Sequence, residues 1–221
     1  MDLSDLSGLV ERALGGLGWG SERRLFHLDG GGATGGLLVE SWLGHDMVSA
    51  PYVLRLLCLS TNAYLDPAGM LAQRVSLRVA MANGSAVCRS ALVLEAEPLA
   101  SNGGVARYRL TAGPWLSLLS YSTHNRVWQD KTPVQILEDV FGAYATHAAW
   151  RFSDEIQADL EASPHAGVRG LRVQYRESDL DFVQRVLAAE GWSYRFEEDE
   201  AAPAGHRLVI FADSGAQPED A

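Results

Sequence analysis

Cysteine, lysine and long apolar runs are scarce in this sequence. Two cysteines occur in 221 residues, Cys58 and Cys88, each inside an apolar run, YVLRLLCLS and AVCRSALVL. A disulfide-stapled secreted scaffold needs more cysteines in a shorter chain. Both thiols are therefore expected as buried small hydrophobes. No run approaches the roughly 18 apolar residues of a membrane-spanning helix. The N-terminus, MDLSDLSGLV, is acidic where a signal peptide is basic, so a soluble cytoplasmic product is the simplest expectation. Lys131 is the only lysine, and 18 Lys+Arg face 28 Asp+Glu for a net charge of -10. Phosphate backbones and anionic lipid attract clustered cations, so the sign is wrong for a general nucleic-acid or membrane-surface binder. With 47% hydrophobic residues, the chain is not intrinsically disordered. It is long enough for two domains or one large one, and a chain of this size buries roughly 70% of its unfolded surface without staples.

Familiar catalytic patterns are missing too. Gly30-Gly31-Gly32-Ala33-Thr34-Gly35 matches GxGxxG in letters. That motif needs a following helix whose N-terminus meets the pyrophosphate, and here the strand-like LLVESWL follows. A plain strand connection is the better reading. His27, His45, His124, His147, His165 and His206 form no i,i+4 pair, and there is no CxxC and no GxSxG. His45 and Asp46 on one strand would face opposite ways, which suits neither a metal nor a triad. Neither cysteine sits in a loop or at a helix start, where a thiolate gains stability. The acidic run Glu197–Glu200 lacks the ligand spacing and glycine of an EF-hand and reads as a solvated turn. No catalytic residue, metal site or cofactor is expected, and the chain is not expected to be an enzyme.

What is present divides the chain. Leu3, Leu6, Val10, Ala13, Leu14 and Leu17 recur at helical spacing until the glycines at 15, 16, 18 and 20. Residues 1–20 are thus expected as an N-terminal extension with a short amphipathic helix, either frayed or docking. RLFHL, LLVESWL, YVLRLLCLS, RVSLRVAM, AVCRSALVLEAE and ARYRLTAG read as strands separated by turn residues, with one helical turn near Asp66–Gln73. Asn83-Gly84 predicts a type I′ hairpin turn. Six short strands argue a β-barrel or sandwich over 21–120.

The second half is mixed. Thr132-Pro133-Val134-Gln135 predicts a helix start with a capping box and proline at the first position. Its apolar face is Val134, Ile136, Leu137, Val140, Phe141 and Tyr144. Ser178-Asp179-Leu180-Asp181 opens another helix, with Leu180, Phe182, Val183, Val186 and Leu187 inward and Gly191 as its stop. Asp179 and Asp181 then complement the helix dipole, and Arg176-Glu177-Ser178-Asp179 reads as a solvated cap with weak local ion pairs. Strands are expected at 171–175, 192–197 and 206–212. The fold class is therefore α+β: an antiparallel β-barrel-like domain over 21–120, a smaller mixed α+β domain over 121–215, and a tail at 216–221.

Three stretches also resemble a known family. They are VQYRESDLDFVQRVLAAEGWSYRFE (173–197), ARYRLTAGPWLSLLSYSTHNRVWQDKTPVQILEDVF (106–141) and SAPYVLRLLCLS (49–60). Together they are similar to the VgrG spike proteins of type VI secretion systems, and the match extends over roughly 23–215. The fold it implies is of the phage baseplate hub type. The positions carrying the family pattern are Tyr108, Arg109, Leu110, Pro114, Trp115, Leu116, Arg126, Gln129, Lys131 and Ile136, then Arg176, Glu177, Ser178, Asp179, Asp181, Phe182 and Gly191. The resemblance implies a structural role for them, not catalysis.

It further implies a homotrimer whose two barrels per subunit form a pseudo-sixfold ring on the hexameric tail-tube protein Hcp. The assembly would puncture target cells and deliver effectors, with effector or adaptor proteins as partners and no nucleic acid or small-molecule substrate. Such a protein is cytoplasmic before firing and leaves through the apparatus without a signal peptide. Ala221 falls near the end of the family's first half, so the second barrel, OB-fold and spike are expected outside this sequence. Of the six tryptophans, most are expected in the core, with one or two exposed ones marking a contact face. The alternatives are a baseplate hub of a contractile phage or prophage tail, and a cell-wall hydrolase.

Overall fold

The computed structural model describes residues 25–102, 104–162 and 169–216. The expected helix in residues 1–20, Trp19, His165 and the tail beyond 216 lie outside the described residues. The chain divides into two units. One is Met1–His45 with Val53–Gly113, and the other is Asp46–Tyr52 with Pro114–Ala221.

In the first unit the strands are β1 (Phe26–Gly30), β2 (Leu38–His45), β3 (Val53–Ser60), β4 (Arg74–Ala80), β5 (Ala86–Asn102) and β6 (Val105–Gly113). They form a six-stranded sheet in the order β1-β4-β5-β6-β3-β2, with every neighbouring pair antiparallel. Period-two patterning explains it. In β6, Ala106, Tyr108, Leu110 and Ala112 are buried, alternating with Val105, Arg107, Arg109 and Thr111. In β3, Leu54, Leu56 and Cys58 point inward from the opposite strand.

β5 is long, and its register shifts between Val93 and Glu95 and again between Pro98 and Ser101. Such bulges bend a strand and increase its twist. The sheet curls until its two edge strands meet through side chains, with the rings of Phe26 in β1 and Trp42 in β2 edge to face at 6.2 Å. No ladder joins β1 to β2 among the described residues, so the expected barrel is a curled open sheet.

Two local expectations need correction. A type I′ turn requires positive φ at both central positions. Only Gly84 has it, at 83°. The amide of Gly84 donates to Met81 O at 3.0 Å, and Met81 N donates to Ser85 O at 2.8 Å. This is a three-residue loop with glycine in the bulge position. Asn83 contributes its side chain instead: Oδ1 accepts from Ser85 N at 3.0 Å and Ser85 Oγ at 2.7 Å. Cys88, expected in the core, is half-buried. Cys58 is fully buried, and burial pushes its thiol up to about 12. The glycine-rich loop makes one 3₁₀ turn, Gly32–Thr34, and enters β2 as a strand connection should.

The second unit follows Pro114 with a 3₁₀ helix, Trp115–Tyr121. Then come β7 (Thr123–Lys131), α1 (Pro133–Gly142), β8 (Trp150–Phe152), α2 (Asp154–Ala162), β9 (Arg169–Ser178), α3 (Asp179–Glu190), β10 (Ser193–Glu198) and β11 (His206–Phe211). β10-β11-β8 form a three-stranded sheet, antiparallel then parallel. β7 and β9 form a separate antiparallel ribbon.

The helix ends are those the sequence predicts. Thr132 Oγ1 accepts from Gln135 N at 3.2 Å, and Gln135 Oε1 accepts from Thr132 N at 3.0 Å. Ser178 Oγ accepts from Asp181 N at 3.0 Å, and Gly191 closes α3 at φ 72°. Val134, Ile136, Leu137, Val140 and Phe141 are buried, with Tyr144 half-buried beyond the helix. Leu180, expected inward on α3, is only half-buried, because Asp179 takes the inward position beside it.

Segment 46–52 is tied into this unit. Ser49 N donates to Tyr194 O at 2.8 Å. Tyr52 lies 3.3 Å from His206 Nδ1, while Trp115 N donates to Nε2 at 3.0 Å. The backbone donor makes Nε2 the acceptor and assigns the ring proton to Nδ1. We predict that Thr132→Ala, which removes one bond of the capping box, lowers the stability of this unit by about 1 kcal/mol. Denaturant unfolding followed by tryptophan fluorescence checks this.

Candidate interaction site

The second unit is organised around a buried carboxylate. Asp179 is the first residue of α3 and has no exposed surface. Its Oδ1 accepts from Gln174 Nε2 at 2.7 Å, His124 Nδ1 at 2.9 Å and Arg126 Nη1 at 3.1 Å. Its Oδ2 accepts from the Tyr144 hydroxyl at 2.7 Å. Its own amide donates to Ser122 O at 2.9 Å. Donors thus arrive from β7, β9 and the turn after α1. Burial alone would raise this carboxyl's pKa. The hydrogen bonds from Gln174, Tyr144 and His124, with the Arg126 charge, outweigh burial and hold it below the ordinary carboxylate value. Burial raises the Tyr144 hydroxyl, and its bond to Asp179 adds to that.

The sequence-based expectation of a solvated cap at Asp179 is therefore wrong. Ser178 and Asp181 do form the exposed cap, and Asp179 turns inward. The acidic run differs in part as well. Glu197 accepts from Arg151 at 3.1 Å and Arg195 at 2.5 Å, and Asp199 from Arg207, so these two carboxylates are held in ion pairs.

Inside the ribbon, the ring of Trp128 stacks on Phe182 at 4.8 Å and 13°. Trp128 Nε1 donates to Asp139 Oδ2 at 3.0 Å, and Lys131 pairs with the same carboxylate. Arg172, 8% exposed, pairs with Glu190 at 2.7 Å. Arg185 binds Glu177 and donates to Val173 O at 2.9 Å. The ribbon is inside-out in polarity. Arg126, Trp128, Arg172 and Gln174 face the helices. Val127, Leu171, Val173 and Tyr175 face out, with exposures of 65%, 63%, 39% and 63%. An exposed strip of this kind marks a contact surface.

The remaining family positions are spread out. Tyr108 donates to Asn62 O at 3.1 Å and accepts from Leu65 N at 3.2 Å inside the first unit. Arg109 pairs with Glu97 at 2.8 Å on that unit's surface. Pro114 leads to Trp115, which is buried edge-on to Phe141 at 5.3 Å and donates from Nε1 to Ala149 O at 3.1 Å. Gln129 and Arg176 are exposed. His124, Tyr144, Gln174 and Asp139 were not anticipated. For Gln174 the available signal was the alternation in β9, where polar Arg172 and Gln174 are out of phase with apolar Leu171, Val173 and Tyr175. Among the described residues, no group of three or more His, Cys, Asp or Glu side chains is placed to hold a metal ion. No helix among them is long and apolar enough to cross a membrane.

A family model described as phage tail baseplate hub (GPD) matches residues 45–221. The chain belongs to that family. This hub chain is 27% identical over 195 residues to the type VI secretion system spike protein VgrG1b of Pseudomonas aeruginosa, covering 88% of this chain and 25% of that protein. It is 31% identical over 189 residues to VgrG4b of the same organism, covering 85% and 22%. The hub chain thus spans about a quarter of the length of the spike proteins it matches. An E. coli component of the type VI secretion system, described as similar in structure to the T4 bacteriophage tail proteins gp27 and gp5, superposes at a TM-score of 0.72. The identity is 21%, over 87% of this chain and 51% of that one, and the likeness shows the fold. The curled antiparallel sheet with its few helices is a hub architecture, as the sequence resemblance implied. The relatives matched over most of this chain are, by name, spike proteins of a secretion apparatus.

Asp179→Asn removes the negative charge beside the half-buried Arg126 guanidinium and replaces one acceptor oxygen by a donor. Asp179→Asn is expected to cost about 3–5 kcal/mol, against under 1 kcal/mol for Asp181→Asn at the exposed cap. The pH dependence follows from the lowered pKa. Asp179 stabilises fully above its unfolded value, near about 4, and loses that contribution as pH falls through its lower folded value. The stability gap between wild type and Asp179→Asn should be flat above about pH 5 and shrink below about pH 4. Urea unfolding across that range measures both.

Proposed function

We propose that this hub chain serves as the hub region of a type VI secretion spike. Its match across 85–88% of its residues to two spike proteins carries the reading. In it, three copies assemble around a central axis, and their barrel-like units complete a ring that docks on the hexameric tube protein Hcp. The assembled spike punctures a target cell and delivers effectors, leaving through the apparatus without a signal peptide. The hub domain of 21–120, the mixed domain of 121–215, the extension of 1–20 that docks an effector or adaptor, and the tail of 216–221 belong to the same proposal. The family-motif residues act structurally in it, through the Asp179 cluster and the Trp115 anchor.

The first unit supports assembly. Leu25, Trp42, Leu43, Met81 and Val87 are all exposed on it, and surfaces of this kind become buried when a hub is built. A second reading, a baseplate hub in a contractile phage or prophage tail, is favoured by the family model itself.

Light scattering after size exclusion tests the proposal on a full-length spike carrying this region. A trimer that co-elutes with the tube protein is expected. A strict monomer indifferent to tube protein would sink both readings. Binding only to a phage tube protein would select the second.

A further inference from the structure

The inner face of the first unit loses its cover one row before the strands end. Leu28 in β1 and Leu77 in β4 face each other in register, and both are buried. Two residues along, the same face carries Phe26 opposite Val79, and Val79 opposite Val87 in β5. Trp42 in β2 extends the row, its ring 6.2 Å from that of Phe26. Its cross-strand partner Leu56 is buried, so Trp42 belongs to the inner face as well. Phe26 and Val79 are only half-buried, Trp42 is 37% exposed and Val87 56%, with Met81 at 47% just beyond. A continuous apolar row at the end of a core face is a surface built to be covered.

The chain enters the sheet at this row. Leu25 precedes Phe26, and its carbonyl accepts from Ala80 N at 2.9 Å, which fixes the entry beside Val79. Residues 1–24 lie before it. On a helix, Leu3, Leu6, Val10, Ala13, Leu14 and Leu17 fall within a stripe about 100° wide, and Asp5, Glu11 and Arg12 fall on the other side. A helix of this length is marginal in water without a surface to pack on. The sizes match. The row is about 15 Å wide at ~4.8 Å between strands, and residues 3–17 as a helix reach about 21 Å at ~1.5 Å per residue. The stretch from Gly18 to Leu25 bridges up to about 26 Å, with Gly18 and Gly20 free to turn.

We infer that the chain's own residues 3–17 form a helix seated on the row of Trp42, Phe26, Val79 and Val87. The seat calls for an apolar occupant held close by, and the segment that leads into Leu25 meets both conditions. Attachment through a short flexible linker holds it at an effective concentration on the order of millimolar. The seated helix turns Asp5, Glu11 and Arg12 outward, and this polar side stays open to the effector or adaptor of the reading above. The seat itself goes beyond that reading. It lies within the first unit and needs neither the ring nor the tube.

Hydrogen–deuterium exchange of the 221-residue chain, read by peptide mass spectrometry, tests the seat. Amides of residues 3–17 should exchange at least about tenfold more slowly than in the isolated peptide of the same sequence. Leu6→Asp in the segment and Val87→Asp in the seat each put a charge into the contact and should bring exchange to within about threefold of the peptide. Glu11→Gln, on the outward side, should leave the protection unchanged. Met81→Asp repeats the seat test at the rim, outside the β4–β5 ladder, and unchanged protection of β3 and β6 confirms that each variant is folded. Residues 3–17 exchanging as fast as the isolated peptide overturn the inference. So does protection indifferent to both seat substitutions, which puts the helix elsewhere. Protection lost on dilution gives the seat to a second copy and overturns it too. A trimer on the tube protein with residues 3–17 unprotected overturns the seat and leaves the hub reading standing. A protected, Val87-dependent segment in a spike that never binds tube protein does the reverse.

Discussion

The second unit depends on the buried carboxylate of Asp179. A carboxylate without solvent is costly unless donors replace its water. Here four side chains do so, from two strands and a turn, and a fifth bond holds the backbone beside it. Each donor must reach the same point, so the carboxylate sets where β7, β9 and the start of α3 lie relative to one another. That constraint is directional, whereas apolar packing is not. It lets a two-stranded ribbon, marginal by itself, hold a defined register.

The same demand explains the ribbon's polarity. Its even positions must supply Arg126, Arg172 and Gln174 to the interior. The alternation of a strand then sends the odd positions outward, and these are Val127, Leu171, Val173 and Tyr175. The exposed apolar strip is therefore coupled to the buried polar centre. In a structural protein such a strip is where work is done, because its function is to present surfaces in fixed geometry. The first unit reaches the same end by other means: bulges in β5 curl a sheet whose edges meet only through Phe26 and Trp42.

Much of the fold was legible residue by residue. The six strands of the first unit follow from apolar alternation and the turn residues between them. The starts of α1 and α3 follow from Thr132, Gln135 and Ser178, because capping is settled within four residues of chain. β8 and α2 were not anticipated. β8 is three residues long and exists only through its parallel pairing with β11, some 58 positions away. The Asn83-Gly84 turn was placed correctly and typed wrongly, since the second positive φ is decided by how the flanking strands meet. The family positions were found through the resemblance, but their physical roles were not.

The amino-acid sequence by itself determined which segments are strands, where helices begin and stop, and that this chain has the motifs of a hub family. Those properties rest on neighbours within a few residues, where period, propensity and capping act. Tertiary structure alone decided that Asp179 is a buried acceptor and Asp181 an exposed one. Two aspartates in the same helical turn carry the same local signal. Only the arrival of His124, Arg126, Tyr144 and Gln174, from 5 to 55 positions away, makes burial of the first favourable. The outward strip of Val127, Leu171, Val173 and Tyr175 was decided in the same step, because one face of a ribbon cannot turn inward without the other turning out.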